Sequence, residues 1–349
     1  MGVINFKSQK LITMKKHHYL AGDIGGTKTV LALFVPEDGP QQPFEEYIFP
    51  SAAYSSLEEI VRKFLEEKGV EVSGASFGVA GPVFQGRSQI TNLTWVVDYQ
   101  TLSQEIGGAP VELLNDLFAI AQSIPYLAPA DLETLIPGEP IEHGTLGVIA
   151  PGTGLGEAFL VWTGDHYQPC PSEGGHASFG PETPLELELL NFLWPRFGHV
   201  SFERVCAGIG MTNLYTFLRD GKGFVEPDWL QEQLAGVTDP TPVIVQNALQ
   251  NKAEICSQTL DLFVTILGSE AGNLGLKVLA TGGVYLGGGI PPRILPVLRK
   301  RIFRQAFTNK GRFAEMLNRV PVYVIRHKHA ALLGAACHGM QPLWEAGQA

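Results

Sequence analysis

The stretch VELLNDLFAIA, residues 111–121, carries eight apolar residues, one glutamate and, at its centre, the pair Asn115 and Asp116. An ionised carboxylate buried without partners is expensive, so Asp116 is a helix cap, part of a satisfied polar network or a working group facing a cleft. Composition and periodicity taken alone favour the cap. In GDIGGTKT, residues 22–29, Asp23 offers a carboxylate able to hold Mg²⁺ through water. The backbone of Gly25, Gly26 and Thr27 and the Thr27 hydroxyl offer donors to phosphate oxygens. Its adjacent glycines fit neither G-x-x-x-x-G-K-[ST] nor G-x-G-x-x-G, and an ordinary hairpin turn is the plain alternative.

PGTGLGEA, residues 151–158, sets Gly152, Thr153, Gly154 and Gly156 in a similar turn. Two such loops, one in each half, would let backbone donors grip a triphosphate in a cleft that excludes water. A third loop, YLGGGIPP, leaves room at Gly287, Gly288 and Gly289 for a flat ring to approach the backbone; by itself it is a turn. SEGGHASFGP places Glu173 and His176 three apart, but Gly174 and Gly175 argue against the helix that an E-x-x-H metal site needs. A polar loop with a carboxylate and an imidazole suits sugar hydroxyls better. On their own, Glu203 in HVSFERVCAG reads as a solvated helix face and Asn92 in ITNLTW as a turn residue.

Elements must hold these groups in place. YLAGDIGGTKTVLALFV reads as strand, turn, strand, and TLGVIAPGTGLGEAFLVW repeats that pattern at the head of the second half. Leu57, Ile60, Val61, Phe64 and Leu65 keep helical spacing, with Ser55 or Ser56 as N-cap and Gly69 as terminator. VSGASFGVAGPV is a strand, and APVELLND is another that runs directly into the helix LFAIAQSI. The Pro-rich PYLAPADLETLIPGEP reads as a connection between lobes. Helices follow in PLELELLNFLWPRF, GMTNLYTFLRD and the long run from TPVIVQ to GNLGL, then a strand in KVLATGGVYLGGGI, the basic helix RILPVLRKRIFRQAF, the strand VPVYVIR and a short helix AALLGAACHGM. Strands alternating with helices give an α/β class. The cations from Arg293 to Arg312 flank an apolar stripe of Ile294, Leu295, Leu298, Ile302 and Phe303 without an aromatic platform, which favours a solvated helix face over nucleic-acid binding.

The chain has 349 residues, enough for two lobes, with 45% hydrophobic and 17% charged residues. A net charge of -10 gives no global attraction to nucleic acid or anionic lipid. Cys170, Cys206, Cys256 and Cys337 lack C-x-x-C spacing, so neither zinc nor a disulfide framework is expected and a reducing cytoplasm fits. No long apolar run or secretory leader is read at the N-terminus; Phe6 spoils a myristoylation signal, and Met14 is a second candidate start. Asn92 also completes an N-L-T sequon, expected to be unused without a leader.

Together GDIGGTKT, NLTW, LLNDLFAIA, GTGLG, EGGH, ERV and GGGI, in this order, resemble the bacterial glucokinase family of the hexokinase, actin and Hsp70 superfamily. The resemblance runs from about Tyr19 to Met340 and lies with the branch lacking a zinc-binding cysteine cluster. It implies a two-lobed, actin-like (ribonuclease H-like) α/β fold with a deep cleft between lobes. Residues 1–17 would be an extension, 18–123 a small lobe completed by a helix at 328–349, and 124–327 a large lobe. It implies ATP and Mg²⁺, glucose as substrate and commonly a homodimer. Matched residue by residue, Asp116 is the general base toward the sugar 6-hydroxyl, and Asn92, Asn115, Glu173, His176 and Glu203 join it in sugar binding. Asp23, Gly25, Gly26, Thr27, Lys28, Gly152, Thr153, Gly154, Gly156, Gly287, Gly288 and Gly289 fall at the phosphate, magnesium and adenosine positions. One departure is Ala207, where a serine is expected after ERV. The alternatives are a kinase for another hexose or aminosugar, and a catalytically silent sugar sensor; no helix-turn-helix precedes YLAGDIGG.

Overall fold

The computed structural model describes residues 18–348, with side chains to residue 341. The expected extension at 1–17, with Phe6 and Met14, lies outside the described residues. Two compact units emerge: residues up to 114 with those from 335 onward, and residues 115–334.

The first unit is built on a hairpin of β1 (His18–Ile24) and β2 (Lys28–Phe34), antiparallel, with Asp23 opposite Val30 and Ile24 opposite Thr29. Both strands are buried almost throughout, as their near-continuous apolar sequences require. β3 (Glu45–Pro50) extends the hairpin on one side. α1 (Leu57–Lys68) starts at Ser56, whose hydroxyl accepts the Glu59 N–H at 3.3 Å, and stops at Gly69 in the left-handed region (φ 63°). Its apolar stripe of Leu57, Ile60, Val61 and Phe64 buries against Leu20, Leu31, Leu33 and Phe77, worth roughly 1.5–3 kcal/mol for each large side chain. β4 (Val72–Val79) pairs parallel to β1. A small hairpin, β5 (Arg87–Gln89) and β6 (Val96–Asp98), precedes α2 (Tyr99–Glu105) and β7 (Val111–Asn115). The sheet order is β3-β2-β1-β4-β7. Residues from 335 close this unit: the Ser76 hydroxyl donates to the Ala335 carbonyl at 2.5 Å, and Gly339 leaves room for the Tyr19 hydroxyl.

The second unit opens with α3 (Asp116–Ser123), β8 (Leu132–Ile136), the hairpin β9 (Leu146–Pro151) and β10 (Leu155–Trp162), and β11 (Tyr167–Ser172). Then come α4 (Pro184–Phe197), α5 (Gly208–Thr216), α6 (Asp228–Leu234), α7 (Thr241–Leu249) and the 24-residue α8 (Glu254–Lys277). β12 (Gly283–Leu286), α9 (Leu295–Leu298), α10 (Arg301–Thr308), α11 (Ala314–Arg319), β13 (Val322–Ile325) and α12 (Ala330–Gln348) complete the chain. The sheet order is β11-β10-β9-β12-β13-β8. Strip off β8 and the first unit's order is repeated, so the duplicated strand-turn-strand text reflects a duplicated sheet. The core is α8 against α5, α7 and α10; Gly268 and Gly272 of α8 meet the Phe303 and Phe307 carbonyls of α10.

Four sequence expectations shift. The units divide after residues 114 and 334 instead of 123 and 327, because Leu117 and Ala121 of α3 bury in the second unit with Val148, Ala158 and Leu160. The stretch read as a connection contains β8, an edge strand paired antiparallel to β13. The long run from TPVIVQ is two helices, α7 and α8, separated by residues 250–253. The basic helix is likewise two, α9 and α10, broken at Lys300, whose backbone is extended (φ -66°, ψ 154°); Arg299 pairs with Glu133 at 2.5 Å and Lys300 with Asp261 at 2.8 Å. No helix among the described residues is long and apolar enough to cross a membrane. Among them, too, no three His, Cys, Asp or Glu residues group as a metal site, and all four cysteines are free thiols.

Candidate active site

In the first unit the turn between β1 and β2 is fixed from inside. Gly25 N–H donates to the Lys28 carbonyl at 3.0 Å, and the Ser51 hydroxyl donates to the Gly25 carbonyl at 2.7 Å. Thr27 and Lys28 are exposed and Asp23 is half-buried just before the turn. A Cβ on Gly26 would come within 2.6 Å of the Thr91 carbonyl and 3.4 Å of Asn92 Cβ, so this glycine lets the turn lie against the loop that carries Asn92. Asn92 itself is exposed and left-handed (φ 65°), a conformation asparagine tolerates. The structure thus brings Asp23, the glycine turn and Asn92 together.

In the second unit the other candidates converge on the first two residues of β10. Asn115 caps α3: its Oδ1 accepts the Leu117 N–H at 3.0 Å and the Phe118 N–H at 3.3 Å. The cap is therefore Asn115, and Asp116 is the first helical residue, its Oδ1 also taking the Leu117 N–H at 2.8 Å. Leu117 packs where Gly156 has no side chain, and Ile120, one turn on, packs on Gly287. Desolvation raises the Asp116 pKa, partly offset by the hydrogen bonds from backbone amides and Asn115. A Cβ on Gly175 would overlap the Leu155 carbonyl, so the loop at residues 173–176 lies flat on β10 with Glu173 and His176 exposed and 3.9 Å apart. Glu203 sits in a short 3-10 helix, Phe202–Arg204, and its Oε2 accepts the Leu155 N–H at 3.1 Å. That carboxylate lies 2.6 Å from where a Cβ on Gly154 would be.

The two remaining glycine loops meet each other. Gly208 N–H donates to the Gly152 carbonyl at 2.8 Å and Ile290 N–H to the Pro151 carbonyl at 3.3 Å. Gly288 is left-handed (φ 80°), and a Cβ there would come within 2.6 Å of the Pro151 carbonyl. Beside them opens a cavity of about 840 Å³ whose walls include Thr153, Gly208, Thr241, Gly289 and the cations Arg196 and Arg293. This volume, next to backbone that no side chain screens, fits a nucleoside with its phosphates.

The family model for glucokinase matches residues 20–342. The chain belongs to the glucokinase family. It is 41% identical to a glucokinase of Nostoc punctiforme over 91% of this chain and 97% of that one, and 36% identical to one of Shigella dysenteriae over 93% and 97%. The crystal structure of glucokinase from an Antarctic psychrotroph superposes with a TM-score of 0.80 at 32% identity, covering 92% of this chain and 98% of that one. A Balamuthia mandrillaris glucokinase solved with glucose shares the fold alone (TM-score 0.78, 20% identity, covering 95% of each chain). The enzyme is an ATP:D-glucose 6-phosphotransferase, and each unit is the α/β half of an actin-like kinase.

Sequence reasoning missed two residues around the candidate site. Thr241, which donates from its hydroxyl to the Gly208 carbonyl at 3.0 Å, is the first residue of α7, flanked by prolines and carried by no motif. Glu157 is 1% exposed in β10, and its Oε1 has no hydrogen-bond partner among the described residues. Burial first, and the neighbouring Glu270 second, push its carboxyl up to about 8. The only signal was a lone carboxylate in the apolar strand GLGEAFLVW.

Proposed function

We propose that Asp116 is the general base of the glucokinase reaction, taking the proton of the glucose 6-hydroxyl as that oxygen attacks the γ-phosphate of ATP. The observation that carries this is the seat of α3, whose Leu117 rests on Gly156 and whose Ile120 rests on Gly287. The helix N-terminus that bears Asp116 is thereby locked to two of the three glycine loops proposed for the nucleotide, those at residues 151–158 and 287–289. Phosphoryl transfer asks a protein mainly for positioning and charge neutralisation, and no covalent nucleophile is required. Asn92, Asn115, Glu173, His176 and Glu203 hold the sugar hydroxyls, each rejecting analogues that lack its partner. The backbone at Gly25, Gly26, Thr27, Lys28, Gly152, Thr153, Gly154 and Gly156 receives phosphate oxygens, and the loop at residues 287–289 borders the adenosine. Asp23 is the hard oxygen donor suited to Mg²⁺ through water. Bound there, the ion would neutralise charge on the phosphates. The same reading extends to the cytoplasm and to a homodimer.

The decisive experiment is Asp116→Asn, which keeps the acceptor for the Leu117 N–H. Its kcat in a coupled glucose 6-phosphate assay should fall by about 10²–10⁴-fold while glucose binding by calorimetry persists. Turnover close to the wild type would remove Asp116 as the base.

A further inference from the structure

Alternation along β10 sends Gly156, Ala158 and Leu160 toward α3 and turns Leu155 and Glu157 to the opposite face, where Leu155 joins the main core. In register, Glu157 lies opposite Ser172, the residue just before the loop at 173–176. A Cβ on Gly174 would overlap Glu157 Oε2, so this carboxyl occupies the space that a side chain at 174 would need. Gly174 N–H is already held by the Ser172 hydroxyl at 3.0 Å, so the loop backbone is wedged between Ser172 and Glu157. Below the carboxyl, α8 presents Glu270, fully buried and held by Lys277 at 2.9 Å and Asn273 at 2.8 Å. Burial first, then Glu270 and Glu157, push up the thiol of Cys206 in the segment before α5. On the outer side the titratable groups are the exposed Glu173 and His176 of the loop itself.

We propose that Glu157, in its protonated form, is the positioning residue that sets the loop carrying Glu173 and His176 against glucose, and that its ionisation releases the loop. The inference rests on the reading that this loop binds the sugar. A neutral carboxyl can share its proton with Glu270 and leave Oε1 as a buried carbonyl, whereas an ionised one puts a second unshared negative charge beside Glu270 with only Lys277 to offset the pair. That anion must draw in water or move, and the atoms it would displace first are those of Gly174. The direction follows: protonated at and below neutral pH, Glu157 supports sugar binding; as pH rises through its upward-shifted range, the support is lost.

The test is the KM for glucose of the whole enzyme, from about pH 6 to about pH 9, a range that spans the raised carboxyl. In the wild type KM should climb in the alkaline half, toward tenfold per pH unit, with kcat much less affected. Glu157→Gln, neutral and of the same shape, should hold KM at its low-pH value throughout. Glu157→Ala, which leaves the wedge empty, should raise KM at every pH. Glu270→Gln should move the wild-type rise to lower pH, because Lys277 then favours the ionised Glu157 unopposed; this variant keeps the test open if a substitution at 157 fails to fold. Wild-type and Glu157→Gln profiles that superimpose, or a Glu270→Gln rise that stays in place, would overturn the proposal. His176→Ala separates the two readings. If it raises KM while Glu157→Gln tracks the wild type, only the role of Glu157 falls; if it leaves KM unchanged, the loop is not a sugar site and both fall.

Discussion

Asp116 and Glu157 are both carboxylates set in apolar sequence, and both have their charged forms disfavoured by burial. For Asp116 the consequence is a strained ground state. Because the folded protein holds its proton more tightly than the unfolded chain, the ionised base lowers stability as pH rises through its raised pKa. Removing the charge should therefore help the fold. Asp116→Asn is expected to melt higher than the wild type near neutral pH, by calorimetry, even as its kcat falls. The same shift moves the acid limb of the wild-type kcat/KM profile, which reports the free enzyme, upward from the ordinary aspartate position, and a limb at that position would contradict the assignment. Of the site, the motif residues were legible because their backbones need glycine or a turn. What the sequence could not say is that the carboxylate of Glu157 is turned inward. That depends on strand alternation once β9 and β11 fix the register of β10, and no spacing within GLGEAFLVW contains that information.

At the scale of elements, both hairpins, α1 with its cap and terminator, and the strand that runs straight into α3 were readable, since each is set by neighbours in sequence. The breaks were not. The helical pattern of RILPVLRKRIFRQAF is interrupted at Lys300, where the backbone turns extended, and no residue spacing in the segment announces it. β8 was hidden between prolines, and only its pairing with β13 makes it a strand. α5 shows the reverse case, where a sequence departure finds its meaning in an element. Ala207 is the N-cap of α5 and offers no side-chain acceptor, where a serine was expected. Ala207→Ser should supply one and raise the unfolding free energy by about 1 kcal/mol in urea. Because Gly208 beside it borders the cavity, the KM for ATP is the control, and no gain in stability would show that the cap position is already satisfied.

For the molecule as a whole, the repeated sheet order explains why two glycine turns could be recognised as counterparts: β1 to β2 and β9 to β10 hold equivalent places in the two orders once β8 is set aside. The division between units was legible only approximately, since packing, which the text does not state, assigns α3 and the start of α12. Ala335, Ala336, Cys337 and Met340 are buried, and the first unit's Ser76 and Tyr19 are built around that segment. Deleting everything after residue 334 should therefore unsettle residues 18–114 while residues 115–334 keep their core; limited proteolysis with mass spectrometry would show the first stretch digested and the second resistant. Equal resistance of both would refute this. There is a consequence for how the protein is made. The first unit emerges from the ribosome lacking the helix it needs, and it must wait while the 220 residues of the second are translated. At typical rates that is about 10–40 s. For that interval the apolar surface that residues from 335 cover is open to chaperones and to other nascent chains, so the arrival of that segment decides when residues 18–114 become safe.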